Sequence, residues 1–420
     1  MTKLNELIQQ LCPDGVEYKT LGSFATISRG GNFQKKDFRD DGFPCIHYGQ
    51  IYTKYGLFVD KTVSFISPAC ASKQKTASKN DIIMAVTSEN IEDVCKCIVW
   101  LGDGEVAVSG HSAIIRHSQN PKYLAYYFHS RMFFDQKRKL AHGTKVIEVT
   151  PDKLASVKIP LPPIEVQREI VRILDNFTEL TAELTAELTA RKKQYEYYRD
   201  MLLTFDVFGG GTNRLEWKTL GESIISLSTG LNPRQFFKLN TEDAKNYYVT
   251  IREIQNGTIV FSEKTDRIND EALSLCNNRS HLEVGDVLFS GTGTIGETAI
   301  VSEVPTNWNI KEGVYAIKPK RELLNSRYLM YLLRTRYMQL AISKKVAGGT
   351  VKSIPMGDMR KLQIPVPDIT VQESIVSILD RFDALCNDLT SGLPAEIAAR
   401  QKQYEFYRDK LLTFKERLTI

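Results

Sequence analysis

Several signatures of a catalytic chain are missing from this sequence. It contains no GxxxxGK[ST] loop, which argues against the phosphate cradle of an ATP-driven motor. Its six histidines form no pair with the spacing of metal ligands. The Cys95-x-Cys97 pair lacks the second ligand pair that a zinc site requires. These absences argue against nucleotide-driven and metal-centred chemistry.

Long apolar runs and an even set of cysteines are also missing. The N-terminal stretch MTKLNELIQQL is short and amphipathic, unlike a signal peptide, and no later run is long enough to span a membrane. The seven cysteines are odd in number and scattered, which favours reduced structural thiols over a disulfide framework. We therefore expect a soluble, cytoplasmic protein.

Two glycine-rich segments have the spelling of a cofactor site without its context. Residues 291–296 (GTGTIG) match the dinucleotide fingerprint, yet the sequence after them reads as a strand where the fingerprint needs a helix. Residues 208–211 (FGGG) resemble the glycine motif of adenine methyltransferases. They come after a predicted helix instead of a strand, and no Asn/Asp-Pro-Pro-aromatic tetrapeptide completes the motif. We expect no catalytic residue, no metal and no cofactor bound by this chain.

What the sequence does contain is an internal repeat. Residues 190–205 (ARKKQYEYYRDMLLTF) and 399–414 (ARQKQYEFYRDKLLTF) are identical at thirteen of sixteen positions, at an offset of 209. Residues 159–177 (IPLPPIEVQREIVRILDNF) and 364–382 (IPVPDITVQESIVSILDRF) repeat at an offset of 205. Four residues have therefore been gained between the two blocks of the second copy. The chain is a duplication of one plan, a globular module followed by a helix.

Each copy predicts a long amphipathic helix. After Pro163, apolar residues recur at steps of three and four, at Ile170, Ile173, Leu174, Phe177, Leu180, Leu184 and Leu188. This helix is expected to run to the glycines at 209–211, about 40 residues and about 60 Å. The second copy continues its stripe to Leu385 and Leu389, and residues 391–394 (SGLP) then predict a stop and a restart. Two matching helices can bury their stripes on each other, and ordinary core packing is the alternative.

The repeat divides the chain into four segments. We expect a first module over residues 1–163, a spacer helix over 164–206, a second module over 207–367 and a second spacer helix over 368–420. Each module contains 21 Lys and Arg residues and 16 Asp and Glu residues. The helices have the opposite balance, 6 basic to 9 acidic residues in the first and 7 to 9 in the second. Two basic modules on mildly acidic helices indicate a chain that grips a polyanion at two places. A chance fluctuation on a solvated surface is the alternative.

Within the modules, short β-branched and aromatic runs between turns predict strands, for example over residues 45–52 and 247–254. One helix is predicted late in each module, over 121–140 and 325–345. The fold class is therefore α+β, with two modules of short strands plus helices separated by two long helices. Each late helix ends in a basic run beside a glycine loop, so a phosphate contact would involve Lys137, Arg138, Lys145, Lys344, Lys345 and Lys352. A charged helix terminus favoured by the dipole is the alternative.

These motifs together resemble a known family. Two unlike modules alternate with two near-identical helices, one carrying PLPPIEVQREIVRILD and KQYEYYRDMLLTF, the other IPVPDITVQESIVSILD and KQYEFYRDKLLTF. Over the whole chain this resembles the specificity subunit of Type I restriction-modification systems. The tandem Thr-Ala-Glu-Leu repeat at 181–188 resembles the spacer helix of one subgroup.

The resemblance implies a function and partners. The modules would be target recognition domains, each reading half of a split site in double-stranded DNA, and the helices would set their separation and hold two modification subunits. Those subunits would bring S-adenosylmethionine and methylate adenine. Restriction subunits would add translocation and cleavage with ATP and Mg. A stand-alone DNA methyltransferase and a protein-only coiled-coil adaptor remain as alternatives.

The symmetry of DNA adds two expectations. A duplex has a backbone dyad, so two copies of one module that grip it equivalently are related by a two-fold axis, and their helices are antiparallel. The loops that would meet DNA differ between modules, which implies an asymmetric bipartite site. The candidate loop residues are Asn32, Lys35 and Lys36 in one module and Asn232, Arg234 and Lys238 in the other. Further candidates for contacts with base edges are Tyr48, Gln50, Ser109, His111, Arg252, Asn309 and Lys311.

The repeated helix ends indicate equivalent duties. We interpret them as two matching docking sites for a modification subunit, and the alternative is that they hold the helix pair together. The residues concerned are Tyr195, Tyr198, Arg199, Asp200, Tyr404, Tyr407, Arg408 and Asp409.

The Thr-Ala-Glu-Leu repeat predicts how the first helix sets the site. One more unit lengthens a helix by about 6 Å and rotates the downstream residues by about 400°, a net turn of about 40°. One base pair advances DNA by about 3.4 Å and turns it by about 34 to 36°. We predict that inserting one unit after Leu188 keeps both half-sequences and lengthens the unread gap by one base pair. The leucine stripe survives such an insertion, and methylome sequencing measures the gap.

A two-residue insertion at the same point is the control. It turns the downstream face by about 200° and should abolish activity. An unchanged gap in the four-residue variant, or an active two-residue variant, would show that this helix does not measure the site.

Overall fold

The structure, a computed structural model, describes residues 3–205, 215–388 and 390–417. Two compact units divide the chain, Met1–Glu183 with Ile397–Ile420, and Leu184–Glu396. The boundary falls inside the long helices, so each unit contains one module and parts of both helices. The expected helix end at 209–211, the FGGG segment and the stripe position Leu389 lie outside the described residues.

The first module consists of short strands and short helices. Its strands are β1 (Tyr18–Thr20), β2 (Ala25–Arg29), β3 (Phe43–Ile46), β4 (Phe58–Val59), β5 (Phe65–Ile66), β6 (Thr76–Ala77), β7 (Ile82–Ala85), β8 (Thr87–Ser88), β9 (Cys97–Trp100), β10 (Val106–Val108), β11 (Ser112–His117), β12 (Ile147–Glu148) and β13 (Lys158–Pro160). Its helices are α1 (Lys3–Leu11), α2 (Leu21–Phe24), α3 (Tyr48–Thr53), α4 (Pro68–Ala71), α5 (Pro121–Phe128), α6 (Arg131–Leu140) and α7 (Pro151–Ala155). The long helix α8 (Ile164–Leu203) comes next.

The second module repeats this plan. Its strands are β14 (Glu216–Thr219), β15 (Ile224–Thr229), β16 (Asn246–Val249), β17 (Ile254–Gln255), β18 (Thr258–Ile259), β19 (Arg267–Ile268), β20 (Val287–Ser290), β21 (Thr298–Ile300), β22 (Trp308–Ile310), β23 (Val314–Pro319) and β24 (Gln363–Val366). Its helices are α9 (Leu220–Ser223), α10 (Pro233–Phe236), α11 (Asp270–Ser280), α12 (Ser326–Leu333), α13 (Arg336–Ser343) and α14 (Met356–Arg360). The helices α15 (Ile369–Asn387) and α16 (Leu393–Leu411) complete the chain.

Two main sheets and a helical layer build each module, together with two-stranded pairs (β1-β13 and β12-β8 in the first module, β14-β24 and β17-β18 in the second). The larger sheet has the order β2-β11-β7-β9-β4 in the first module and β15-β23-β20-β21 in the second. The smaller sheet has the order β5-β3-β10-β6 and β19-β16-β22, and in each a parallel pair (β3 with β10, β16 with β22) interrupts the antiparallel pairing. The central strand β7 is buried on both faces, with Met84 toward the helices and Ile83 toward the smaller sheet. Phe289 and Leu288 of β20 do the same in the second module.

Local capping corrects several predicted bounds. Residues 45–52 were expected as one strand, but the strand ends at Ile46 because His47 and Gln50 form a capping box that starts α3. Residues 247–254 were also expected as one strand, but that strand ends at Val249 because Thr250 and Glu253 form a capping box that starts a 3-10 turn. The late helix of each module is also two helices, α5 with α6 and α12 with α13.

The predictions for the two long helices are confirmed where the structure describes them. Residues 164–203 form one continuous helix, and the second copy is interrupted between α15 and α16 as the SGLP segment predicts. At this interruption the Asp388 carboxylate accepts the backbone N–H groups of Thr390 and Ser391. Helix α8 therefore provides an unbroken rod, whereas its counterpart stops and restarts at a capped turn.

A buried glutamine and a tyrosine–aspartate bond fix the start of α8 to the first module. Gln167 is fully buried, donates to the Pro162 carbonyl over 2.8 Å and accepts the Asn120 N–H over 3.1 Å. Since Asn120 caps α5, the glutamine joins the two helix starts. The Tyr126 hydroxyl donates over 2.6 Å to the carboxylate of Asp175, which lies about two turns further along α8.

The start of α15 is fixed to the second module by the same contacts. Gln372 donates to the Pro367 carbonyl over 2.8 Å and accepts the Asn325 N–H over 2.9 Å. The Tyr331 hydroxyl donates to Asp380 over 2.6 Å. The repeated VQ and ILD motifs of the sequence are therefore the residues that attach each long helix to its module.

The end of α8 packs inside the second unit. The Tyr198 ring stacks on Phe382 with centroids 5.7 Å apart. Burial raises the pKa of Cys386, and the nearby Lys192 ammonium opposes that shift. Later residues of α15 therefore face earlier residues of α8, so the two helices are antiparallel in this unit, as expected. The Asp200 carboxylate accepts the N–H of Arg336 at 3.4 Å, at the start of α13.

The end of α16 makes the equivalent contacts in the first unit. Tyr407 stacks on Phe177 with centroids 5.4 Å apart. Asp409 accepts the N–H of Arg131 at 3.1 Å, at the start of α6, and pairs with Arg408 over 3.0 Å. Negative charge at a helix N-terminus is stabilising. Tyr195, Arg199 and Tyr404 are likewise packed or paired inside their units, which favours the interpretation that the repeated residues hold the helices.

The aspartate contact predicts a stability effect. Asp409→Ala should destabilise the first unit by about 1 kcal/mol, because an N-terminal N–H of α6 loses its charged acceptor. Asp135→Ala is the matched control, since Asp135 forms an exposed ion pair with Arg131, and losing that pair should cost about 0.5 kcal/mol or less. Thermal unfolding, with hydrogen exchange at the start of α6, measures both. Equal effects of the two substitutions would contradict this role for Asp409.

Candidate nucleic-acid interface

Loops converge at one end of the larger sheet in the first module. Ser112 at the start of β11 pairs with Ala85 at the end of β7, and Ala113 pairs with Arg29 at the end of β2. Three segments enter or leave the sheet here, 30–36, 86–91 and 109–111. We call these segments and the hairpin at 142–148 the first loop end. The hairpin joins through β12, which pairs with β8.

The second module has an equivalent loop end. Ser290 at the end of β20 pairs with Val314 at the start of β23, and Thr229 at the end of β15 pairs with Tyr315. The segments 230–238, 291–297, 311–313 and the hairpin at 347–353 form this second loop end.

One close approach shapes both loop ends. A Cβ on Gly30 would lie 2.2 Å from the Ser109 carbonyl oxygen, and a Cβ on Gly230 would lie 1.7 Å from that of Ile310. The next residue forms a parallel bridge in each case, Gly31 with Ser109 and Leu231 with Lys311. Only glycine permits the two segments to approach this closely. The sequence pairs these two loops, but the close approach of the backbones is visible only in the structure.

Exposed polar side chains come after the glycine in the first module. Asn32, Lys35 and Lys36 are all exposed, as a DNA contact requires. Beside them the Tyr48 ring lies between two imidazoles, 4.6 Å from His47 and 4.9 Å from His111. His111 is exposed and Tyr48 is half-buried. The structure therefore brings five of the predicted residues to one surface.

His47 was not predicted, and it organises this cluster. Its ring is buried and its Nδ1 accepts the N–H of Gly49. Burial, and secondarily the ammonium of Lys35, lowers the pKa of His47. The His47 imidazole packs against the Tyr48 ring and caps α3. The sequence around His47 gives no sign of this role.

The second loop end presents different groups. Asn232 is half-buried and caps α10 by accepting the N–H of Arg234, whose side chain is exposed. Lys238 and Lys311 are exposed as well. Arg252 is exposed but its guanidinium is paired with Asp266 over 2.6 Å, so a DNA contact would require this ion pair to open or be shared.

Three predicted base-edge residues have structural roles instead. Gln50 is buried and bonded to the His47 N–H and Ser64. Ser109 is buried, and its hydroxyl accepts the N–H of Tyr48. Asn309 is fully buried and accepts from Ser280 at 2.8 Å. We correct the prediction for these residues: they hold the loops in place and do not face solvent.

The basic run of α6 needs one correction. Lys137 is buried and its ammonium donates to the carbonyls of Glu92 and Val94, over 2.9 and 2.6 Å, so it is not placed to contact a phosphate. Burial lowers its pKa. Exposed cations at the ends of α6 and α13 and on the hairpins are Arg138, Lys145, Lys344 and Lys352, and Lys345 is half-buried.

The GTGTIG segment is a loop between strands. It leaves β20 and leads into the strand β21, as predicted, so the helix of a dinucleotide site is not there. All seven cysteines are free thiols. Within residues 3–205, 215–388 and 390–417, no helix is both long and apolar enough to cross a membrane. That same part of the chain holds no cluster of three His, Cys, Asp or Glu side chains suited to a metal ion.

Comparison with known proteins agrees with this architecture. Residues 13–191 and 216–399 match the Type I restriction modification DNA specificity domain. The type I restriction enzyme EcoR124I/EcoR124II specificity subunit of Escherichia coli is 37% identical over 273 residues, 63% of this chain and 65% of that relative. The chain thus matches just under two thirds of that protein. A candidate type I restriction enzyme specificity subunit of Haemophilus influenzae is 32% identical over 74% of this chain and 77% of its own length.

A solved structure shows the same fold. A chain from a type I restriction-modification system superposes with a TM-score of 0.62 at 19% identity, over 97% of this chain and 99% of that chain. The chain consists of two modules with equivalent loop ends on one backbone plan. This chain belongs to the family of the Type I restriction modification DNA specificity domain, which confirms the resemblance seen in its sequence.

Proposed function

We propose that this chain is the non-catalytic, DNA-reading subunit of a type I restriction-modification complex and that each module reads one half of an asymmetric bipartite site. One observation carries the proposal. The two loop ends share one backbone plan but present different exposed side chains. A Tyr48–His111 cluster with Lys35 occupies one loop end, and Arg234 with Lys311 occupies the other. Different groups on one scaffold suit different base sequences.

Charge supports DNA as the ligand. Each module has a surplus of five basic residues, 21 against 16. Exposed lysines and arginines at both loop ends would release counterions from the phosphates and supply sequence-independent affinity. The polar side chains between them would then choose the bases.

We infer the partner subunits from the family to which the chain belongs, and we infer the cofactors from the chemistry of those partner subunits. Two modification subunits would bind S-adenosylmethionine and methylate adenine, and restriction subunits would use ATP and Mg, in the cytoplasm where the DNA lies. On the helices, Tyr197 is 65% exposed and Phe406 is 61% exposed, at equivalent positions of the repeat. Because most of the residues predicted from the repeat to dock a partner are packed, we assign the docking contact with each modification subunit to these two rings.

Separate modules predict separable defects. Replacing Arg234, Lys238 and Arg252 together by Ala should relax or weaken reading of one half-site and leave the other intact. The same complex carrying Lys35→Ala and His111→Ala should show the reverse pattern. Methylome sequencing of strains expressing each variant measures both half-sites.

Equal degradation of both half-sites by either variant would contradict the assignment of one half-site to each module. A protein-only adaptor is supported if the wild-type complex shows no salt-dependent DNA affinity. Cross-linking of S-adenosylmethionine to the isolated chain would instead support a stand-alone methyltransferase.

The exposed rings predict a loss of assembly. Tyr197→Ala and Phe406→Ala should each weaken the binding of one modification subunit about thirtyfold, as loss of an anchor worth about 2 kcal/mol does. Trp217→Ala is the matched control, since Trp217 is 51% exposed on β14, outside the helices. Mass measurement of the methylating complex, at a concentration between the wild-type and variant dissociation constants, should give two modification subunits for wild type and control, one for each single variant and none for the double variant. Two subunits retained in the double variant would refute this contact.

A further inference from the structure

Each module carries one short hairpin with the same turn. The first is closed by a bridge between His142 and Glu148, the second by a bridge between Ala347 and Ser353. Gly143 has a φ of +105° and Gly348 a φ of +112°, which disfavours any other residue. A Cβ at these positions would lie 2.0 and 2.4 Å from the carbonyl oxygen three residues later. The turn is therefore kept in modules that otherwise diverge.

The first hairpin is tied to the loops of its module. Arg29 joins the two, since its Nη2 donates to the Glu148 carboxylate over 2.7 Å and its Nε donates to the Gly110 carbonyl over 2.8 Å. Ile147 also pairs with Ser88. Arg29 therefore couples the position of the hairpin to the segment at 109–111, which contains His111.

The second hairpin is tied to its own loops by the backbone. Gly293 donates its N–H to the Lys352 carbonyl over 2.9 Å, and Thr292 bridges Ser353. The GTGTIG segment, whose spelling suggested a nucleotide site, is therefore the support of this hairpin.

The two hairpins carry the same three types of side chain in a different order, since Thr350 stands where the first hairpin has Lys145 and Lys352 stands where it has Ile147. In the first, Thr144 and Lys145 are exposed beside Val146, which is 57% exposed. In the second, Thr350 and Lys352 flank Val351, which is 62% exposed. Neither ammonium donates to an acceptor within the described part of the chain. A hydroxyl, a cation and a small apolar side chain suit a phosphate and its deoxyribose.

A feature shared by both modules cannot encode the difference between their targets. It can only contact what all sequences have in common. Resting on the proposed function, we propose that the two hairpins, 142–148 and 347–353, grip the sugar–phosphate backbone of DNA independently of sequence and so set the register of the adjacent reading loops. Base choice is left to the side chains that differ, such as His111 and Arg234.

The test measures affinity and specificity separately. Methylating complexes carrying Thr144→Ala with Lys145→Ala, or Thr350→Ala with Lys352→Ala, are titrated with a duplex containing the site and with a scrambled duplex at several salt concentrations. Each pair should weaken binding to both duplexes by the same factor, about three- to tenfold, and reduce the slope of log K against log salt by about one. The ratio of the two affinities should stay within about twofold of wild type.

Three further variants sharpen the result. Lys145→Arg and Lys352→Arg keep the charge and should restore the salt slope. Lys61→Ala is the matched control, an exposed lysine beyond Val59 and Trp100, at the end of the sheet opposite the loop end. It removes the same charge and should leave both affinities unchanged.

The outcomes are distinguishable. A changed affinity ratio would show that the hairpins read bases, and would overturn the proposal. Unchanged affinity in the hairpin variants, while Arg234→Ala still degrades its half-site, would overturn the hairpin proposal and leave the proposed function intact. Equal wild-type affinity for the site and the scrambled duplex would refute the proposed function itself.

Discussion

The attachment of each long helix to its module depends on one buried polar contact, made twice. Gln167 and Gln372 are fully buried, so their amides must be bonded, and each bonds both the proline carbonyl before its helix and the N-cap of a module helix. A buried amide that lost these partners would cost about 1 to 3 kcal/mol. The contact therefore fixes the angle at which each helix leaves its module.

In each unit, residues of one copy of the repeat pack against residues of the other copy. Each unit contains the start of one long helix and the end of the other, so the aromatic stacks Phe177–Tyr407 and Phe382–Tyr198 are formed between copies of the repeat. Each module is therefore in contact with residues of both copies of the repeat. This arrangement explains why the helix sequences agree so closely while the loop sequences do not.

Periodicity and repetition predicted the elements whose causes are local. The prolines, the three- and four-residue steps and the SGLP break act within a few residues, and α8 and the interruption after α15 agree with them. The site was predicted less well, because its geometry depends on contacts distant in sequence. Ser109 lies 61 residues from Tyr48, whose N–H its hydroxyl accepts, and the sequence does not record this contact. The sequence therefore does not show which of the polar residues near strand ends face solvent.

Sequence agreement between the two copies has more than one physical origin. At Asp200 and Asp409 it follows from packing, because both carboxylates are needed at the start of a module helix. At Gly143 and Gly348 it follows from backbone geometry, yet the residues that this turn presents are exposed and take no part in packing. The side-chain types that both hairpins carry, a threonine, a lysine and a valine, are not demanded by packing and are better explained by a common ligand. Under the proposed function, the loops beside those hairpins, where the two copies differ, would meet parts of the ligand that differ. A DNA duplex provides both conditions, since its backbone is uniform and its bases are not.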